Sequence, residues 1–397
     1  DLLSFFKKID AYVRFMAVPE MPVTALPHVI DLKASGPLDL NLVGGKALNL
    51  CIAQNTLGLP VPRGFVITTN AYHYFIAYNG LREAIDERLS AIDLDDLGAL
   101  DSLSEEIRSL IMAGSVPPEI NTAILEHYHE ISFAGYGEPA MAMRSSAVGE
   151  DSRATFAGQY ATLLNVKKDH LSEAYKGVIA GKYTPEALHY RISYGFADEE
   201  TAMAVLAIAM VDARTSGVMY TAEIGAPQSG RMTIHAVWGL GELLVSGQTP
   251  ADVLTLSKKP PPRIIEELPA AKKHRMVSAE DGSLETLRVQ TNKSAALSLD
   301  ASEAIGLAEW GLALENHFQH PQDIEWAIDG SGQAILLQTR PLKTDSSEDD
   351  AVVCVFDNVE QALLLKGGEN ASSGIATGTV HNLAANADLN AVSVGAV

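Results

Sequence analysis

Basic residues and cysteines are both scarce in this chain of 397 residues. Lysine and arginine number 29 against 50 aspartates and glutamates, a formal net charge of -21. That excess of negative charge argues against general binding of DNA, RNA or an anionic membrane. It leaves room for a local phosphate site, because a few lysines and arginines set the field of their own cleft. The two cysteines, Cys51 and Cys354, supply neither a disulfide framework nor a metal-ligand spacing, which fits a reducing cytoplasm. Long apolar runs are missing too. The longest, Ala202 to Val211, is too short to cross a bilayer and reads as a buried strand. There is no evident signal peptide, no internal repeat and no metal-ligand clustering among the 11 histidines. His317 and His320, near a helix end, read as surface or capping groups.

What is present suits a globular protein. Hydrophobic residues make up 47% and charged residues 20%, and the length allows two or three domains or subdomains. The chain begins at Asp1 without a methionine and stops in an apolar, glycine-containing stretch, Val392 to Val397. Both ends read as cuts inside a longer protein.

Residues 1–16 place Leu2, Phe5, Phe6, Ile9, Tyr12 and Val13 at roughly helical spacing, and a proline-containing connector follows. From Leu38 the pattern becomes mixed helix and strand. A helix is predicted from Gly44 to about Thr56, and a strand over Val61–Thr68. A second helix carries Tyr72 to Tyr78 with Asn70 as N-cap, and 80–130 reads as mainly helical and exposed. Strands are predicted at Ala140–Arg144, up to Asn165-Val166, at Val205–Val211, Gly217–Thr221 and Met232–Trp238. Helices are predicted at Thr184–Tyr194 and over 301–319, the latter with Ile305, Ala308, Leu312 and Phe318 on its apolar face.

The richest stretch runs from Pro321 to Pro341, two strands joined by Asp329-Gly330-Ser331-Gly332. Strand alternation puts Asp323 and Glu325 on one face of the first strand and Gln338 and Arg340 on one face of the second. If Glu325 lies opposite Gln338, Asp323 lies opposite Arg340 and all four share a surface. A two- or four-residue loop gives that register, and a three-residue loop does not. Two carboxylates beside an amide and a guanidinium suit magnesium and a nucleotide. A surface hairpin with a cross-strand ion pair would give the same pattern.

Three further groups could meet phosphate. Val43-Gly44-Gly45-Lys46 sets paired glycines and a lysine at a helix start, without Walker A spacing. Met143-Arg144-Ser145-Ser146 ends an apolar strand with a cation and two hydroxyls, and a small-residue loop, Phe156-Ala157-Gly158-Gln159, follows. Pairing of Arg144 with Glu150 or Asp151 is the alternative. Gly239-Leu240-Gly241-Glu242 lacks the third glycine of a dinucleotide fingerprint, though Glu242 could still face a nucleotide.

Together these stretches resemble the N-terminal nucleotide-binding domain of phosphoenolpyruvate synthase and pyruvate phosphate dikinase. The matching segments are VGGKALNL (43–50), VPRGFVITTNAY (61–72), MRSSAVGEDSRATFAGQYATLLNV (143–166), SGVMYT (216–221), GLGELLVSGQTPAD (239–252) and QDIEWAIDGSGQAILLQTRP (322–341). They occur in the family's order over about residues 40–342. The resemblance implies an α+β, ATP-grasp-type fold of two or three subdomains, with the start of a swivelling phosphohistidine domain at the C-terminus. The implied boundaries are an extension at 1–38, a first subdomain at 39–150, the remainder at 151–342, a linker at 343–370 and the swivelling start at 371–397.

By the same resemblance, ATP and Mg2+ are the ligands. Lys46, Arg144 and Arg340 match phosphate-contacting residues and, with Ser145 and the Gly158 loop, clamp the triphosphate. Glu325 and Gln338 match the positions that hold magnesium, with Asp323 supporting. Met210 and Val211 match the strand that reads adenine, and Glu242 is a weaker correspondence. The family usually has a glutamine where this chain has Ile208, which bears on nucleotide affinity and base choice. Its histidine motif, T-x-x-G-G-x-x-C-H, is absent, so the phosphoryl acceptor and the pyruvate-binding barrel are expected on a missing part of the protein. The implied activity is an ATP-dependent phosphotransferase, incomplete and inactive for the overall reaction in this chain alone. A rifampicin-type antibiotic phosphotransferase and a non-catalytic nucleotide-sensing module are the alternatives.

Overall fold

The computed structural model describes residues 26–343 except 35–37, 91–96, 134–136, 149–161, 195, 197, 199–200 and 280. The chain divides into two units, 1–343 and 344–397, and the second lies outside the described residues. So do the expected helix over 1–16, the linker, the swivelling start at 371–397 and the Gly158 loop.

The chain order begins β1 (Val29–Asp31), α1 (Leu40–Asn55), β2 (Gly64–Ile67), α2 (Thr69–Tyr78), α3 (Leu81–Ser90), α4 (Leu97–Ala113) and α5 (Pro118–Ile131). It continues with β3 (Met141–Ala147), β4 (Thr162–Val166), α6 (Leu171–Gly181), α7 (Pro185–Tyr194) and β5 (Met203–Ala209). Then come β6 (Ala213–Tyr220), β7 (Arg231–Trp238), α8 (Glu242–Val245), β8 (Asp252–Ser257), β9 (Arg263–Leu268), β10 (His274–Ser278) and β11 (Leu284–Arg288). The last elements are α9 (Thr291–Ser294), α10 (Ala301–Phe318), β12 (Gln322–Asp329) and β13 (Ala334–Pro341).

The strands form two large antiparallel sheets, ordered β1-β2-β5-β3-β4 and β13-β12-β6-β7-β8-β9, with β10 and β11 as a separate pair. The chain passes from the first sheet to the second through residues 210–212, between β5 and β6. The expected boundary between 150 and 151 lies between β3 and β4, which pair within one sheet.

Period-2 alternation explains why the first sheet has two cores. Phe65, Ile67, Met141, Met143, Val205 and Ala207 face one core, shared with α2 to α7. Val66, Ala142, Leu206 and Ile208 face the other, where Val43, Ala47 and Leu50 of α1 meet Ile324, Trp326 and Ile328 of the second sheet. Residues 80–130 are helical as expected, but Ile85, Ile107, Ile111, Ile120 and Ile124 are fully buried in the first core rather than solvated.

Two helix details differ from expectation. Thr68, not Asn70, caps α2: its backbone is still extended and its hydroxyl accepts from Ala71 N–H. The buried stripe of α10 is Ala304, Leu307, Ala308, Gly311 and Leu314, so only Ala308 of the four expected residues is fully buried. The start of α10 is set by a capping box between Asp300 and Glu303.

A charged cluster lies inside the first core. Asp198 Oδ1 meets Arg191 at 2.6 Å and Lys182 at 2.9 Å, and Oδ2 meets Arg82 at 2.9 Å. The Tyr183 hydroxyl donates to the same carboxylate at 2.9 Å.

Candidate functional site

The site grows from a break in α1. Gly44 has φ 71° and ψ 170°, so the helix restarts at Gly45 and carries Lys46 inward. A Cβ on Gly44 would lie 1.9 Å from the Ser146 carbonyl oxygen, so the close approach to β3 requires glycine. Ser146 staples the break: its hydroxyl donates to Val43 C=O at 2.7 Å and accepts from Ala47 N–H at 3.0 Å. Beside it, the Lys46 ammonium donates to the Ser145 hydroxyl at 3.1 Å.

The β12–β13 hairpin forms the facing wall. Glu325 pairs opposite Gln338 and Asp323 opposite Arg340, as the alternation predicted, but by a different route. At the turn Ile328 lies opposite Ala334 and Trp326 opposite Leu336, a register with an odd loop. That register continued would set Glu325 against Leu337. A bulge between Glu325 and Trp326 shifts the pairing by one residue and restores the shared face. Leu337, the extra residue, turns its carbonyl to Arg144 Nη1 at 3.2 Å.

Two ion pairs organise the polar surface. Arg144 Nη2 donates to Glu325 Oε2 at 2.6 Å. Arg340 donates through Nε and Nη2 to Asp323 Oδ2, at 2.8 and 2.6 Å. Burial pushes both carboxyls up. At Asp323 burial prevails over Arg340, and the group is raised. At Glu325 the Arg144 guanidinium outweighs burial, with Arg340 and Lys46 adding, and the group is lowered. Environment therefore drives the two acids apart. Gln338 Oε1 and Arg144 Nε are buried without a hydrogen-bond partner among the described residues.

Lys46, Arg144, Met210, Val211, Glu242, Glu325, Gln338 and Arg340 line one cavity of about 960 Å³ between the two sheets. Ser145 and Asp323 stand behind this lining as supports for Lys46 and Arg340. Gly158 lies outside the described residues. Apolar wall comes from Ile208, Leu164, Leu240 and Leu244. The Leu337 carbonyl was not singled out from sequence, and the Ser146 staple on α1 was not foreseen. A second hydroxyl after Arg144 was visible, but its partners lie on another element.

The sequence that builds this site has counterparts in known proteins. Residues 40–360 match the family described as pyruvate phosphate dikinase, AMP/ATP-binding domain. The chain belongs to this family. Among relatives of this nucleotide-binding domain, a probable phosphoenolpyruvate synthase of Methanocaldococcus jannaschii is 36% identical over 345 residues, 86% of this chain and 29% of the relative. One of Archaeoglobus fulgidus is 36% identical over 362 residues, 90% of this chain and 47% of the relative. A rifampicin phosphotransferase of Bacillus cereus is 33% identical over 318 residues, 80% of this chain and 36% of the relative. The chain thus spans less than half the length of each. No helix among the described residues is long and apolar enough to cross a membrane.

Proposed function

We propose that this chain is the ATP-binding part of a phosphoenolpyruvate-synthase-like phosphotransferase, built as an ATP-grasp-type domain. The observation that carries the reading is the convergence of Lys46, Arg144 and Arg340 with Glu325 and Gln338 on one cavity. Three cations suit a triphosphate. Glu325 and Gln338 would hold Mg2+, which binds proteins through one or two oxygens and takes the rest from phosphate and water. The fit is supported by the Gln338 Oε1 acceptor, buried without a partner beside the Glu325 carboxylate register. When bound, the ion supplies neutralisation of phosphate charge.

The residues of the chain then bind, orient and exclude water. Lys46, Arg144 and Arg340 draw phosphate charge into the cavity, and Ser145 and Asp323 fix where two of those cations point. At the 210–212 link the Met210 N–H is engaged by Ala140 C=O at 2.8 Å. Base contacts would therefore fall to Met210 C=O and Val211 N–H, with Ile208 as an apolar wall. In this reading the phosphoryl group passes to a histidine on a separate swivelling domain and finally to pyruvate on a barrel domain. The named rifampicin phosphotransferase relative supports a second reading, in which the final acceptor is a drug. Assay of the longer protein with pyruvate and with rifampicin separates the two.

Calorimetric titration with ATP, with and without magnesium, tests the site. Binding that needs magnesium and disappears in Glu325→Ala is expected. Unchanged binding in that variant would sink the assignment of Glu325.

A further inference from the structure

We infer that the β10–β11 hairpin is a strap across one side of the cavity and that Asn165 is its clasp, a positioning residue for the proposed nucleotide site. Asn165 lies in β4, the edge strand of the first sheet, and is only 3% exposed. Its side-chain Nδ2 donates to Ala279 C=O at 3.1 Å and to Ser283 C=O at 2.8 Å. Those carbonyls belong to the two ends of the hairpin turn, which Ala279 N–H to Ser283 C=O closes at 2.9 Å. One primary amide offers two donors, and both are used here.

The identity of residue 165 serves a second demand. Its backbone sits at φ 58°, in the left-handed region that asparagine tolerates better than most side chains. The turn that it grips also meets the chain just beyond: a Cβ on Gly282 would be 3.4 Å from Lys167 Cγ.

Midway along β10 the strap is tied to the segment that follows β7 of the second sheet. Leu240 N–H donates to Met276 C=O at 2.9 Å. Gly239, at φ 76°, brings its backbone so near that a Cβ would lie 2.3 Å from the same oxygen. Gly239 leads directly into Leu240, Gly241 and Glu242, which line the cavity, as do Asn165, Gly282 and Leu284. The hairpin therefore joins β4 to the Gly239–Glu242 segment along the cavity wall.

The strap is built to release. Strands β10 and β11 belong to neither large sheet, Met276 adds only isolated bridges to Gly239 and Leu240, and the side chains of both strands are exposed or half-buried. A two-stranded hairpin is marginal by itself, so its closed position depends on its contacts at the Asn165 turn and at Met276. Opening at Asn165 would widen the cavity without breaking either large sheet. This strap rests on the nucleotide reading for its ligand, but the clasp itself does not.

The test is hydrogen exchange of residues 274–288 in the full chain without nucleotide, for wild type, Asn165→Asp and Asn165→Gly. Both variants accept a left-handed backbone and neither can donate to the two carbonyls. Loss of two net hydrogen bonds predicts exchange faster by roughly tenfold in the hairpin, with β5 and β6 unchanged. Wild-type exchange in both variants would overturn the clasp. ATP should also dissociate roughly tenfold faster from both variants. Unchanged dissociation from a freed hairpin would overturn the strap. A wild-type chain that binds no ATP would count against the nucleotide reading, while the exchange comparison on the unliganded chain still decides the clasp.

Discussion

Arg144 and Glu325 form a 2.6 Å ion pair that joins the two large sheets across the cavity. Arg144 leaves β3 in the first sheet, and Glu325 leaves β12 in the second. Their side chains are 12% and 24% exposed, so water screens the pair only partly. The Leu337 carbonyl on the same guanidinium adds a second tie between the sheets. The pair should therefore contribute to the stability of the whole unit. A double-mutant cycle with Arg144→Met and Glu325→Gln should give a coupling of about 1–3 kcal/mol in urea unfolding. Additive losses would mean that the pair contributes nothing of its own.

The lowered Glu325 carboxyl gives the pair a pH signature. Burial alone would raise it, and Arg144 reverses the sign. A carboxyl with a depressed folded value binds fewer protons in the folded state than in the unfolded one. Its contribution is thus fully present above the unfolded value, about 4.5, and is lost as pH falls through the lower folded value. Asp323, raised by burial, has the opposite sign and acts above the ordinary carboxylate range. Unfolding of wild type and Glu325→Gln over about pH 3–7 separates the two. The stability gap should be constant above about pH 5 and shrink below it. A gap independent of pH would remove Glu325 as the titrating group.

Gly44 is the position where backbone freedom matters most to the site. Its φ of 71° and the 1.9 Å approach to the Ser146 oxygen leave no space for a side chain. Gly44→Ala should cost about 2 kcal/mol or more, from the left-handed backbone and the displaced β3 together. It should also weaken ATP binding, because Lys46 follows two residues later on the restarted helix. Gly58 shares a positive φ but has open space around it, so Gly58→Ala is a control for backbone strain alone. Equal losses in the two variants would show that the approach to Ser146 is unimportant.

The faces of β12 and β13 were legible because alternation needs no knowledge of partners. Their pairing depended on the bulge at Leu337, which no residue pattern announced. An even loop, which the turn does not have, would give the same face without a bulge. In α10 the apolar residues Ile305, Leu312 and Phe318 suggested a stripe displaced from the real one. The buried face uses Ala304 and Gly311, where a Cβ on Gly311 would sit 3.0 Å from Met219 Cε. Small residues at a close contact carry little hydrophobic signal, so size complementarity is hidden from a periodicity reading. The meeting of Lys46, Arg144 and Arg340 on one cavity was legible because these cations stand in motifs that resemble a known family in the same order. The Asp198 cluster was not, because charged residues read as solvated until their partners are placed.

That cluster yields the sharpest stability prediction. Burial raises the Asp198 carboxyl, but Lys182, Arg191 and Arg82 outweigh it and hold the group well below the usual range. Burial lowers Lys182 to about 7, against the attraction of Asp198. Three cations thus converge on one carboxylate inside the first core. Removing that anion should cost far more than removing one cation. Asp198→Asn should lose about 3–5 kcal/mol, whereas Lys182→Met, which replaces a charge with an apolar chain of similar length, should lose less. The sign with pH follows from Lys182. Its folded value lies below its unfolded 10.5, so protonated Lys182 destabilises the fold below about pH 7, and the cost is relieved as pH rises towards 10.5. Without Asp198 that cost grows, so the deficit of Asp198→Asn should be larger at pH 6 than at about pH 9. Urea unfolding at the two pH values measures it. A deficit that is equal at both, or a Lys182→Met loss as large as that of Asp198→Asn, would mean that the cluster is not organised around the carboxylate.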